Sequence, residues 1–273
     1  MQIHPTAIVS KKAKLADDLA VGPYTIIGEN VSIGARTKIG AHCLIDGNTS
    51  VGSNCEIFSG AVIGSRPQDL KYKGEKSFLE IGDDNIIREY CTLNPGTGEG
   101  GKTIVGSRNL FMAYSHVAHD CIVGNDCVIA NNGTLAGHVT IEDKTVVGGL
   151  VAIHQFVRIG KLSIIGGCSK VVRDIPPYST CDGHPAFVYG LNLVGLRRNN
   201  ISPESIKELD HAFRILFNSG LTIKHALNNV EKEVSATEEV VYLVDFIKKS
   251  QRGITHSCRL TRITKDKSAD ICG

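Results

Sequence analysis

A large apolar side chain returns at every sixth residue over most of this chain, and few folds are compatible with so short a period. The series runs Ile3, Val9, Leu15, Val21, Ile27, Ile33, Ile39, Ile45, Val51, Ile57 and Ile63. It resumes at Ile81, Ile87 and Leu93, then continues from Val105 and Phe111 through Val117, Val123, Ile129, Leu135, Ile141, Val147, Ile153, Ile159 and Ile165 to Val171. A fixed period of six is the signature of a hexapeptide β-helix, in which each short strand supplies one large inward side chain. Three hexads close one triangular coil, so residues eighteen apart stack, with coils about 4.8 Å apart. Each coil buries its inward residues only against its neighbours, which makes the stack the folding unit. Glycine commonly follows the apolar slot (Gly22, Gly28, Gly34, Gly40, Gly52, Gly64), where it relieves crowding at a tight corner. The period alone leaves the hand of the coil open.

Two stretches break the beat: the polar segment 65–80 (SRPQDLKYKGEKSFLE) and the glycine-rich segment 95–102 (PGTGEGGK). Treated as insertions, they leave the prism from the slots at Ile63 and Leu93. Counting slots in threes stacks Val117, Leu135 and Ile153 on the same edge, followed by His119, by Gly137-His138 and by His154. Two loops and three histidines therefore line one edge, and long insertions into a tight repeat usually mark a functional face. His119 falls two places after the inward Val117, at an outward strand-to-turn position, where a histidine is not core filler.

The net charge of +2 gives no global polyanion-binding signal, so nucleic acid is not an expected partner. No apolar run approaches the roughly 20 residues needed to span a bilayer. Residues 1–14 lack a secretory pattern and begin the repeat at once, which points to a soluble cytoplasmic protein. Nine cysteines are present, but the count is odd and CxxC does not occur. Cys43, Cys55, Cys91, Cys121 and Cys127 each sit four places after an apolar slot, at positions otherwise held by small residues. Cysteine there reads as a small buried hydrophobe in a reducing compartment.

The beat ends near Val171, and Pro176-Pro177 is a breaker because proline lacks the donor a stacked strand needs. An irregular connector follows. Ser202-Pro203 then reads as an N-cap with proline in the first turn. Helical spacing continues through Ile206, Leu209, Phe213, Leu216 and Phe217 to Gly220, a second helix begins near Thr222, and a third covers about Thr237 to Lys249. The expected organisation is a β-helical domain over 1–190, a small helical domain over 191–253, and a polar, frayed tail over 254–273.

Six motifs sharpen this picture: PQDLKYKGE at 67–75, HVAHDC at 116–121, LAGHV at 135–139, AIHQF at 152–156, RDIPPY at 173–178 and NLVGLRR at 192–198. With them the chain resembles, over residues 1 to 253, the UDP-N-acetylglucosamine O-acyltransferase family that starts lipid A synthesis. The resemblance implies a left-handed parallel β-helix assembled as a homotrimer with active sites between subunits, and neither cofactor nor metal. It implies transfer of a fatty acyl group, 3-hydroxylated or plain, from acyl carrier protein to the sugar 3-hydroxyl of UDP-N-acetylglucosamine. A hydroxyl is a poor nucleophile at neutral pH and needs a general base, a task suited to histidine. By the family pattern His119 is that base, Asp120 holds its tautomer, and the Gly137 N–H faces the developing oxyanion. Gln68, Asp69, Lys71, His116 and His138 position the sugar and its phosphates, and His154 and Gln155 border the acyl or nucleotide site. Asn192 and Arg198 reach the nucleotide from the adjacent chain. Lys170, Arg173 and Arg197 are candidates for docking the acidic carrier, and Gly167 is the position that rules acyl length. The chain departs from the pattern at Val194, where family members often carry an acidic residue, and at Pro185, where they usually carry histidine.

Three rivals stand beside this expectation. The sibling N-acyltransferase of the next lipid A intermediate carries a separate domain before its β-helix, whereas here the repeat begins at Ile3. A β-helical zinc carbonic anhydrase could use three neutral histidines, but has no need of the PQDLKY loop or the helices. A catalytically silent solenoid would not gather histidines on one edge.

Overall fold

The computed structural model describes residues 1–257. From Gln2 to Val171 nearly every strand is two residues long, and strands three apart in sequence pair in parallel. With two later strands added to the first, they build walls of eleven, nine and eight strands, beginning at Gln2–Ile3, Ile8–Val9 and Lys14–Leu15 respectively. The walls close a left-handed parallel β-helix. The sixth-residue side chains fill its interior: Ile27, Ile45, Ile63, Leu93, Ile129, Leu135 and Ile141 are at most 1% exposed. Truncating a core residue of this kind to alanine typically costs about 2–5 kcal/mol, a large part of a domain's net stability.

The second slot of each hexad also points inward, where small polar groups bond to adjacent coils. Thr25 Oγ1 donates to Gly40 O at 2.8 Å and accepts from Cys43 N at 3.1 Å. Cys43, Cys55, Cys91, Cys121 and Cys127 are all buried free thiols. Burial pushes the Cys121 and Cys127 thiols up to about 12, so both stay protonated and inert at neutral pH.

Stacking on the nine-strand wall follows the slot count. Ile63 pairs with Leu93, Leu93 with Val117, Val117 with Leu135 and Leu135 with Ile153. At the corner that follows, Asp120, His138 and Phe156 take left-handed backbone conformations, with φ of 58°, 60° and 65°. Each successive corner is tied to the coil before it, His138 N to His119 O at 3.0 Å and Phe156 N to Gly137 O at 3.2 Å. The candidate side chains converge here because the same corner position recurs one coil at a time.

The segment after Val171 has more order than an irregular connector. Ser179–Asp182 extends the eleven-strand wall, and Phe187–Leu191 folds back antiparallel to it. Cys181 pairs with Ile165 only sixteen residues away rather than eighteen, because Asp174–Pro177 cuts the corner and takes the strand out of the six-residue beat. A short helix α1 (Leu193–Arg198) follows, capped by Asn192, and precedes the three longer helices α2 (Pro203–Asn218), α3 (Ile223–Glu233) and α4 (Glu238–Lys248). Ser202 and Thr237 accept from Ser205 N and Val240 N, satisfying helix-end donors that would otherwise be orphaned. Helix α4 is bolted to the β-helix through Glu142, which accepts from Tyr242 Oη at 2.6 Å, Lys161 N at 2.9 Å and Arg158 Nη2 at 3.3 Å.

Residues 254–257, expected to belong to a frayed tail, are held against the end of the prism. Thr255 N donates to Asp174 O at 2.9 Å and Val188 N to His256 O at 2.8 Å, and Ile254 is 6% exposed. The backbone there finds partners on both sides, which a free polar tail lacks. The remainder of that segment, 258–273, lies outside the described residues. Among the described residues no helix is long and apolar enough to cross a membrane.

Candidate active site

His119 and Asp120 follow the strand His116–Val117 on the nine-strand wall, one residue beyond its end. His119 Nδ1 lies 2.8 Å from Asp120 Oδ2, and the two side chains are only 13% and 14% exposed. Although His119 points outward from the prism, loop 95–102 and the next corner cover the pair. Asp120 is held from the other side by Thr97, whose Oγ1 donates to Oδ2 at 2.6 Å and whose N–H reaches Oδ1 at 3.0 Å and Oδ2 at 3.1 Å. Burial pushes the Asp120 carboxyl upward, but the hydrogen bonds from Thr97 and His119 outweigh it and hold the group below its ordinary range. The carboxylate is therefore ionised, and Nδ1 of His119 is the nitrogen that donates to it. This leaves Nε2 as the free, proton-accepting nitrogen.

Gly137 lies against that free edge. A Cβ there would sit 2.4 Å from His119 Cε1 and 2.6 Å from Nε2, so any side chain would displace the ring. Its neighbour His138 meets the His119 ring edge-on, with centroids 5.2 Å apart, and stacks on Phe156 at 4.6 Å with the planes 8° apart. His138 Nε2 is 3.7 Å from Asp120 Oδ2. His116 sits above Thr92, whose Oγ1 is 2.6 Å from its Nδ1. Burial, assisted by nearby His119, lowers its pKa from the ordinary 6.5, so His116 is neutral at pH 7.

His119, Asp120 and His138 could each offer a metal one atom, all within 4.8 Å. The Asp120 oxygens, however, already accept from Thr97 and His119, and a cation would have to displace those bonds. The donor set suits a hydrogen-bonded base better than an open zinc triad.

The other candidate residues surround this centre less tightly. His154 and Gln155 are exposed one coil further on, with His154 Nδ1 3.2 Å from Gln155 O. Gln68, Asp69 and Lys71 stand on the 65–80 loop, where Asp69 Oδ1 accepts from Lys71 N at 2.9 Å. Among the described residues no hydrogen bond or ion pair joins these three to the histidines. Asn192 uses both ends of its amide within the chain, accepting from Gly195 N and donating to Leu162 O, both at 2.9 Å. Arg198 and Arg197 are exposed on α1, and Arg197 lines a groove with Lys207 and Asp210 of α2. Lys170 is exposed, whereas Arg173 is tied to His256. Gly167 faces open space apart from Gly149 O, 3.2 Å from where its Cβ would be.

Thr97, Thr92 and Phe156 escaped the sequence analysis. Thr97 lies inside the glycine-rich insertion, and only the slot count, which returns that loop to the His119 edge, could have singled it out. Thr92 and Phe156 hold positions stacked with His116 and His138, and reading along those columns would have found both.

Residues 102–137 match a family profile described as bacterial transferase hexapeptide (six repeats). Residues 174–255 match one described as UDP N-acetylglucosamine O-acyltransferase, domain 2. The chain is 50% identical over 254 residues to the acyl-[acyl-carrier-protein]–UDP-N-acetylglucosamine O-acyltransferase of Alkalilimnicola ehrlichii, covering 93% of this chain and 98% of that protein. It is 51% identical over 255 residues to the protein of the same description from Myxococcus xanthus, covering 93% and 99%. A crystal structure of UDP-N-acetylglucosamine O-acyltransferase from Moraxella catarrhalis superposes with a TM-score of 0.90 at 45% identity, over 94% of this chain and all of the other. Identity at this level over nearly the whole length of these relatives, together with the shared architecture, makes the chain a member of the UDP-N-acetylglucosamine O-acyltransferase family.

Proposed function

We propose that this protein transfers a fatty acyl group, 3-hydroxylated or plain, from acyl carrier protein to the 3-hydroxyl of UDP-N-acetylglucosamine, the first step of lipid A synthesis. The observation that carries the mechanism is the largely covered His119–Asp120 pair at 2.8 Å, with the free edge of the imidazole against Gly137. Nε2 of His119 takes the proton of the sugar 3-hydroxyl as its oxygen attacks the thioester carbonyl. Asp120 fixes the tautomer and stabilises the imidazolium that forms. The carbonyl oxygen becomes an oxyanion facing the Gly137 N–H, a fixed donor of a kind worth about 10²–10³ in rate. Collapse expels the carrier thiolate, which recovers the proton from His119, so the base is regenerated.

Neutral His116 offers Nε2 to the sugar, since Thr92 occupies Nδ1. His138 borders the same space. Gln68, Asp69 and Lys71 engage the sugar and its phosphates from their loop, and His154 and Gln155 line the acyl or nucleotide side. Asn192 and Arg198 reach the nucleotide across a subunit boundary, and Asn192 also caps the helix that carries Arg198. Lys170, Arg173 and Arg197 receive the acidic carrier. These assignments require a homotrimer in the cytoplasm.

The test is a transfer assay on purified protein, with UDP-N-acetylglucosamine and a panel of acyl carrier protein thioesters. A 3-O-acylated sugar nucleotide identified by mass is the expected product. No transfer from any thioester would overturn the proposal.

A further inference from the structure

We infer that Thr97 is a positioning residue for acyl transfer: loop 95–102 is a rigid clamp that holds the Asp120 carboxylate, and through it the orientation of His119. This rests on His119 acting as the base. A carboxylate bonded to His119 alone could turn about its own side-chain torsions and swing the imidazole with it. Here Oδ2 accepts from Thr97 Oγ1 at 2.6 Å and from His119 Nδ1 at 2.8 Å, and the Thr97 N–H spans both oxygens. Both torsions of the carboxylate are therefore fixed by bonds additional to that of the imidazole.

The loop is built for this one delivery. Gly96 and Gly101 bring its two ends together: a Cβ on Gly96 would lie 2.4 Å from Gly101 C, and one on Gly101 would lie 1.9 Å from Thr97 O. Gly98 and Gly100 take φ of +70° and +75°, conformations that L side chains rarely adopt. The outer side is laced to the other insertion, with Gly100 N donating to Lys76 O at 2.8 Å, Lys76 N to Glu99 Oε2 at 3.1 Å and Gly96 N to Phe78 O at 3.1 Å. Gly96 and Gly101 serve close approach, Gly98 and Gly100 serve the turn, and the two insertions brace each other behind the catalytic pair. Thr97 touches no reacting atom and acts through Asp120.

The experiment compares Thr97→Val, which keeps the shape and the N–H but removes the hydroxyl, with Thr97→Ser, which restores the hydroxyl without the methyl. Steady-state transfer is measured on the full-length protein, alongside thermal unfolding. Loss of alignment predicts a kcat about 10- to 100-fold lower for Thr97→Val, with KM for sugar nucleotide and carrier unchanged and the melting temperature preserved. Thr97→Ser returns kcat to near the wild-type value. Wild-type kcat in Thr97→Val, a loss confined to KM, or a serine variant as slow as the valine one would overturn the inference. If Thr97→Val does not fold, Thr97→Ala against Thr97→Ser carries the same comparison. A wild-type protein that transfers no acyl group would instead overturn the proposed function.

Discussion

His116 and His119 are three residues apart, and their surroundings separate their tasks. His119 gives Nδ1 to an ionised carboxylate and keeps Nε2 free, whereas Nδ1 of His116 pairs with the neutral Thr92 hydroxyl. Burial first, and His119 second, depress the His116 pKa, so its ring should titrate with a midpoint below 6.5. The sign for stability follows. Below pH 6.5 the unfolded chain protonates this ring while the folded chain resists, so the unfolded state binds more protons and acidification costs stability. The loss begins as pH falls through the unfolded value and levels off below the folded one. NMR titration of the imidazole checks this, and a midpoint at or above 6.5 would contradict it.

At the scale of elements, the sequence announces what repeats and hides what happens once. The inward column, the edge on which both loops and His119, His138 and His154 gather, and the caps at Ser202 and Thr237 follow from spacing and local chemistry. The strand Ser179–Asp182 does not, because Pro176-Pro177 shortens its coil by two residues and removes it from the beat. Thr97 was hidden for another reason: its role depends on how a loop without periodicity folds back. The residues at 254–257 look like solvent-facing tail until Asp174 and Val188 supply partners. The same corner geometry bears on acyl length. Gly167 and Gly149 leave an open strip at successive corners, where a side chain at 167 would meet only Gly149 backbone. Each methylene in an apolar groove is worth about 0.8 kcal/mol, so a blocked strip should change donor choice sharply. The wild type should favour donors of the tetradecanoyl class, and Gly167→Met should shift the preference to shorter ones while leaving chemistry at His119 intact. A Gly167→Met variant that loses all donors equally would remove Gly167 as the ruler.

For the whole molecule, a prism that buries its interior still presents three walls. Ile8 and Ile26 are 66% and 44% exposed on one of them, and Leu70 stands fully out on the long loop. Apolar surface of this kind calls for cover, which the proposed trimer would supply while letting Arg198 of one chain approach the histidine edge of another. Sedimentation at micromolar concentration should give three times the chain mass; a monomer would contradict the shared site. In the proposed reaction one histidine performs the proton transfer, on a scaffold that does not need it. His119 occupies no inward slot, and a general base is worth about 10²–10⁴ in rate. The most direct measurement is therefore the turnover of His119→Ala with acyl carrier protein thioester and UDP-N-acetylglucosamine, taken with its circular dichroism. A loss of that size with the β-helix spectrum intact is the expected outcome, and near-normal turnover would remove His119 as the base.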